Sequence, residues 1–260
     1  MRELLEAVAA GEVTPAEAEA RLAGYATTGA GRFDAAREER RGIPEAVLAE
    51  GKTATEVADL AETAVETTGR VLVTRADEAA AAAVRDRLPD DARIERDDRA
   101  RTVLAYAAGA AGPSVDATVA VVAAGTADAA AAGEAAATVR AAGPRVERID
   151  DVGVAHLGRV LDDLDALRGA DAAVIAAGRE GALPTVVAGL VDTPVIGLPV
   201  STGYGHGGGG EAALAGMLQS CTVLSVVNVD AGFVAGGQAA LIARAAAGDG
   251  DDGNADDAGG

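Results

Sequence analysis

The chain has 260 residues, with 22 basic against 41 acidic side chains and a formal charge of −19, a length that suits one large or two modest domains with a real core. Aromatic residues make up 2 % and tryptophan is absent, so neither base stacking on an aromatic platform nor attraction to nucleic acid or an anionic membrane surface is expected. The single cysteine, Cys221, excludes an intramolecular disulfide and a cysteine-cluster zinc site.

Lys52 is the one lysine, and every other basic side chain is arginine. Strong acidity with lysine depletion reads as adaptation to a salt-rich, halophilic cytoplasm, where screening weakens self-repulsion. The first residues, MRELLEAVAAGEV, are too short and too acidic for a signal peptide. No apolar run approaches the roughly 20 residues that span a bilayer. A soluble, cytoplasmic protein is expected.

In chain order, residues 2–10 carry helical spacing through Leu4, Leu5 and Val8, and Gly11 can stop them. Thr14-Pro15-Ala16-Glu17 combines a capping box with proline at the first helical position, which predicts a second short helix. A charge-dense segment follows from Phe33 to Glu45 and ends in a Gly42/Pro44 turn or extended piece. Thr53 and Glu56 form another capping box and open a third helix. A strand is predicted at 71–75, a helix at 77–88, and short strands near 92–96 and 101–106. Gly109 to Ser114 reads as a linker. An N-terminal α+β domain at 1–112, with its charged motif at 33–53, is therefore expected.

Beyond the linker the pattern is regular. Strands are predicted at 117–123, 146–150, 172–177, 194–198 and 223–229, with helices at 128–142, 157–168, 183–191, 210–219 and 236–246. Short apolar strands alternating with helices imply a parallel sheet covered on both faces, with its ligand crevice at the carboxyl ends of the strands. A domain at 116–246 and a disordered acidic tail at 247–260 complete the division.

Four stretches stand at strand ends. Gly125-Thr126-Ala127-Asp128 opens a helix and would offer backbone N–H groups and a hydroxyl to an anion, or is simply a βα turn capped by Asp128. Gly178-Arg179-Glu180-Gly181 sets a carboxylate between glycines, suited to proton transfer or to a helix cap. Ser201 to Gly210 contains a glycine run that would wrap a phosphate or ring, or form a surface loop; it lacks the lysine and spacing of a P-loop. Cys221, just past a helix end, is a small buried hydrophobe or a nucleophile. A helix's negative end disfavours a thiolate, so a reactive Cys221 would need a cation nearby. His156 and His206 share no metal-ligand spacing.

The motifs AGTAD (124–128), AAGREGALP (176–184) and PVIGLPV (194–200) fall in the order of class I PurE-type carboxylases. That resemblance likens Gly125, Thr126 and Asp128 to the turn that holds substrate phosphate and ribose. It places Ala182 where those carboxylases carry a catalytic histidine. A resemblance over nearly the whole chain is to the LarB family of nickel-pincer cofactor biosynthesis. It rests on Asp34, Arg37, Arg41, Gly42, Pro44, Glu45, Gly51 and Lys52, and on Asp151-Val-Gly-Val-Ala155. Glu180-Gly-Ala-Leu-Pro184, Ser201-Thr-Gly-Tyr-Gly205, Ser220-Cys221 and Val227-Asn-Val-Asp230 extend it. His156-Leu157-Gly158-Arg159 departs from that family's Gly-x-His-Arg.

The resemblance implies a three-layer α/β/α PurE-like domain, homo-oligomeric assembly, and carboxylation with hydrolysis of nicotinic acid adenine dinucleotide, using carbon dioxide or bicarbonate and Mg²⁺ held largely through phosphates and water. It implies Cys221 as covalent nucleophile and Glu180 as proton-transfer group. Gly125, Thr126, Asp128, Gly178, Ser201, Thr202, Gly203, Tyr204, Asn228, Asp230, Arg37 and Lys52 are the implied substrate contacts. The alternatives are a carboxylase or mutase of an imidazole ribonucleotide, or a non-catalytic nucleotide-binding protein.

Overall fold

The structure is a computed structural model, and it describes residues 1–248; the acidic tail expected at 247–260 lies outside the described residues from 249 on. The chain divides into two compact units, Met1–Gly112 and the chain from Pro113 onward.

The first unit begins with α1 (Arg2–Ala10) and α2 (Pro15–Ala23), followed by a small antiparallel pair, β1 (Ala26–Thr28) with β2 (Gly31–Phe33). Then come α3 (Arg37–Arg41), β3 (Ala46–Leu48), α4 (Ala54–Thr68), β4 (Arg70–Thr74), α5 (Glu78–Arg87), β5 (Arg93–Asp97) and β6 (Thr102–Tyr106). Both expected capping boxes form: Thr14 caps α2 and Thr53 caps α4, each with its glutamate reaching back to the cap N–H. The mixed sheet runs β3-β4-β6-β5, with β3 parallel to β4 and the other pairs antiparallel. Its core joins Val71, Val73 and Val103 to Val57, Ala61 and Ala64 of α4 and Val84 of α5.

The sequence reading missed β1, β2, β3 and α3. Each of those strands has three residues, too few for periodicity to register, and pairing with a partner outside that window creates them. The charged motif thus contains a short helix, α3, which the expected Gly42/Pro44 turn connects to the edge strand β3. Arg37 pairs with Glu45 at 2.6 Å and Arg40 with Asp34 at 2.6 Å.

The second unit alternates strand and helix: β7 (Thr118–Ala123), α6 (Ala129–Ala142), β8 (Arg145–Asp150), α7 (Gly158–Asp162), α8 (Leu164–Arg168), β9 (Ala172–Ala177), α9 (Ala182–Ala188), β10 (Val195–Pro199), α10 (Glu211–Leu218), β11 (Ser225–Val226) and α11 (Gly232–Ala246). The five strands form one parallel sheet in the order β11-β10-β9-β7-β8. Because successive side chains alternate between faces, each strand feeds two cores. Val119, Val121, Val174, Ile196 and Leu198 meet α6 and α11 on one face. Ala120, Val122 and Ile175 meet α7 to α10 through Val160, Leu167, Leu183, Val187 and Met217 on the other. This is the expected three-layer α/β/α arrangement. Each fully buried Leu, Ile or Val contributes about 1.5–3 kcal/mol, so in the near-absence of aromatics these side chains and the alanines build the core.

Two expectations change. The strand expected at 223–229 pairs over only Ser225–Val226, at an edge with a single neighbour. The helix expected at 157–168 breaks at Asp163 into α7 and α8, preceded by a 3₁₀ turn at Val154–His156. Among the described residues, no helix is long and apolar enough to cross a membrane.

Candidate functional site

Strand order decides where a site can form. β7 and β9 are adjacent, yet β7 leads into α6 on one face and β9 into α9 on the other. Loops that diverge in this way open a crevice at the carboxyl end of the sheet. A pocket of about 590 Å³ occupies that crevice, lined by the loops after β7, β8, β9 and β10.

Asp128 ties these loops together. Its carboxylate accepts the Gly125 N–H at 2.9 Å and the Thr202 hydroxyl at 3.3 Å, and the Gly178 N–H also reaches it. The side chain is only 6 % exposed. Burial pushes its carboxyl above the usual range, and the N–H groups of Gly125 and Gly178 and the Thr202 hydroxyl oppose the shift. The Gly125 N–H is therefore occupied by Asp128 and not presented to a ligand, unlike the expectation from sequence.

The loops approach backbone to backbone. A Cβ at Gly178 would sit 3.1 Å from the Asp128 carboxylate and 3.2 Å from the Thr202 hydroxyl; one at Gly203 would sit 2.9 Å from the Arg179 nitrogen. Only glycine fits such gaps without displacing a neighbour. Glu180 sits exposed at the end of the β9 loop. Its carbonyl lies against α10, where a Cβ at Gly216 would come within 2.3 Å. Gly181, with φ 65°, turns the chain into α9. Arg179 stacks over the Tyr204 ring, 4.5 Å from its centroid, and Asp151 pairs with Arg159 at 2.9 Å.

Of the residues expected from sequence, Gly125, Thr126, Asp128, Gly178, Glu180, Thr202, Gly203 and Tyr204 line this one pocket. Ser201, Asn228 and Asp230 do not. Asp230 accepts the Ser201 N–H at 3.0 Å and so holds the loop after β10, while Asn228 accepts the neighbouring Val229 N–H at 2.8 Å. Arg37 and Lys52 belong to the first unit, where Arg37 pairs with Glu45 and Lys52 donates to the Leu48 carbonyl at 2.7 Å.

Cys221 is exposed, so the small-buried-hydrophobe reading fails. It sits between the end of α10 and the start of β11, at the amino edge of the sheet. The next residue, Thr222, lies beside Gly189 at the far end of α9, whose first residue lines the pocket. A seven-residue helix is about 10 Å long, so the thiol stands outside the pocket of its own chain. Sequence reasoning missed Asp151 and Arg179. The available signal was position, since Asp151 directly follows β8 and Arg179 is the second residue after β9; both adopt a positive φ, 61° and 53°.

Residues 25–107 match the family described as the LarB/PurE-like N-terminal domain. An uncharacterized protein of Methanocaldococcus jannaschii is 34 % identical over 228 residues, covering 82 % of this chain and 84 % of that one. The chain belongs to the LarB/PurE-like family. The match to the family's N-terminal domain falls within the first unit, and the archaeal relative extends the likeness through most of the chain. Membership of a LarB/PurE-like family points to carboxylase-type chemistry. Among the described residues, no group of three or more His, Cys, Asp or Glu could hold a metal ion. Asp128 is taken up by backbone donors and Asp151 by Arg159, so this LarB/PurE-like chain's own donors do not fit a resident Mg²⁺.

Proposed function

We propose that the protein carboxylates the pyridinium ring of nicotinic acid adenine dinucleotide at carbon 5 and hydrolyses its phosphoanhydride. The products are pyridinium-3,5-biscarboxylic acid mononucleotide and AMP, for nickel-pincer cofactor synthesis. The observation that carries the reading is the switch-point pocket of a LarB/PurE-like chain, with Glu180 and the Gly125–Asp128 turn on its walls.

The chemistry accounts for the residue types. A pyridinium ring is too electron-poor to attack carbon dioxide. Addition of the Cys221 thiolate to a ring carbon forms a C–S bond and converts the cation to a neutral, enamine-like dihydropyridine. Carbon 5 then attacks carbon dioxide and forms the new C–C bond. Glu180 removes the proton from carbon 5, the C–S bond breaks, and aromaticity and the free thiolate return. Covalent catalysis thus divides one prohibitive step into smaller ones. Water separately cleaves the phosphoanhydride; any Mg²⁺ would be held by the substrate's own phosphates and water and would offset their charge.

Because Cys221 stands outside its own pocket, this mechanism requires the thiol of a second copy of the chain, in keeping with a homo-oligomer. An exposed Cys221 at the sheet's amino edge supports that delivery. Ala182 lines the pocket at the position where PurE-type carboxylases carry a catalytic histidine, which disfavours an imidazole ribonucleotide as substrate.

The test is incubation with nicotinic acid adenine dinucleotide, bicarbonate and Mg²⁺ in high salt, with products weighed. AMP plus a mononucleotide heavier by one carboxylate supports the reading; no turnover by folded protein overturns it. Cys221→Ser and Glu180→Gln should each abolish carboxylation, and mixed oligomers of the two should recover part of it. Wild-type rates for Cys221→Ser would remove the covalent mechanism.

A further inference from the structure

Among the residues that line the pocket, Arg179 is the one cationic side chain, set against Asp128, Asp151 and Glu180. Acids outnumber bases 41 to 22 in this chain, and arginines such as Arg40, Arg70, Arg96, Arg148 and Arg159 each hold a carboxylate. Among the described residues Arg179 forms no ion pair; its partner is the Tyr204 ring. In so acidic a surface, a guanidinium held on an aromatic face at a pocket mouth is the charge left available to an incoming anion.

The backbone supports the same reading. Arg179 has φ 53°, a left-handed conformation that side-chain-bearing residues seldom adopt. Its nitrogen is so close to Gly203 that a Cβ there would stand 2.9 Å away. Two loops therefore pin an unfavourable backbone position, and such over-determined positions cluster at functional sites. Tyr204 is 79 % exposed, so its stack with Arg179 is not a by-product of core packing. The ring contact engages no carboxylate, and a guanidinium carries its N–H donors in the fork geometry that matches phosphate oxygens.

We propose that Arg179 is a specificity-determining residue that reads the phosphate of a sugar-phosphate or nucleotide ligand, with Tyr204 as the positioning residue on whose ring its guanidinium rests. The proposal rests on the nucleotide reading of the pocket and deepens it. It also replaces the Gly125 N–H, which Asp128 already occupies, as the expected source of phosphate recognition.

The test is calorimetric titration of the full chain, at a fixed high salt concentration, with ribose 5-phosphate, ribose and inorganic phosphate. Wild-type protein should bind ribose 5-phosphate well above the other two. Arg179→Gln should weaken ribose 5-phosphate by about tenfold or more, the size of a lost charge-assisted hydrogen bond, and leave ribose unchanged. Arg179→Lys, which keeps the charge but loses the fork, should fall between, and covers the case in which the glutamine variant fails to fold. Tyr204→Leu should weaken the same probe less than Arg179→Gln. Ribose 5-phosphate binding unchanged in folded Arg179→Gln or Arg179→Lys overturns the proposal, as does wild-type protein that does not bind this probe. Inorganic phosphate binding as tightly as ribose 5-phosphate overturns the assignment to a sugar phosphate. Because binding needs no turnover, a protein that fails to carboxylate the dinucleotide but shows Arg179-dependent binding keeps this inference and loses the carboxylation reading.

Discussion

Replacing Gly216 by alanine tests whether α10 holds the Glu180 turn in place. Helix propensity alone favours alanine over glycine by about 1 kcal/mol. Against that, a Cβ at Gly216 would stand 2.3 Å from the Glu180 carbonyl oxygen, where ordinary contact begins near 3.4 Å. The obstacle is backbone, and the adjoining Gly181 is packed just as closely on Ala213, so the turn cannot swing aside without moving the helix. Relief requires a shift of about 1 Å, and overpacking of this kind costs about 1–3 kcal/mol. Because the obstacle is backbone on both sides, the upper end of that range applies, and the expected net loss is about 2 kcal/mol, or roughly 4–8 °C in the unfolding midpoint. Thermal and urea unfolding followed by far-UV circular dichroism would measure it, with Ala215→Gly on the exposed side of the same helix as the propensity control. On the proposed function, displacing Glu180 by about 1 Å should also lower turnover on the order of 10²-fold. A Gly216→Ala protein about 1 kcal/mol more stable than wild type would refute the reasoning, since propensity would then act unopposed.

Asp128→Asn should change how stability depends on pH. Burial raises the Asp128 carboxyl above its usual range, so the folded chain holds this proton more tightly than the unfolded chain. Its contribution to stability therefore falls as pH rises from the ordinary aspartate value of about 3.9, levelling off above the folded value. Urea unfolding across that window should show wild type losing stability relative to Asp128→Asn; parallel curves would count against it. Thr53→Ala removes the hydroxyl that accepts the Glu56 N–H at the start of α4 and should cost about 1 kcal/mol by urea unfolding. Ile175→Ala, at a fully buried position in the middle of β9, should cost about 2–5 kcal/mol, and a loss below 1 kcal/mol would mean the sheet repacks around it.

The amino-acid order alone was enough for elements whose signals are local. The capping boxes at Thr14 and Thr53 mark helix starts because the cap and its glutamate lie three residues apart. The apolar run at Ala172–Ala177 reads as a strand buried on both faces, and it is one. Signals that depend on a distant partner were not legible. Ala46–Leu48 is a strand through pairing with Leu72–Thr74, and Ser225–Val226 is all that remains of a longer apolar run because only β10 lies beside it. At the candidate site, glycines next to strand ends pointed to loops that line the pocket, but not to which side chains they bring together.

The sequence by itself therefore determined the α/β class, the alternation of parallel strands and helices, and the loops from which a site would be built. Those follow from periodicity, caps and turn residues, each set within a few positions. Only the tertiary structure decided that β7 lies beside β9, because five similar apolar runs carry no label for their neighbours. That adjacency makes the crevice and lets Asp128 join the loops of β7, β9 and β10. The same arrangement leaves Arg179 as the pocket's cation and sets Cys221 at the sheet's other edge.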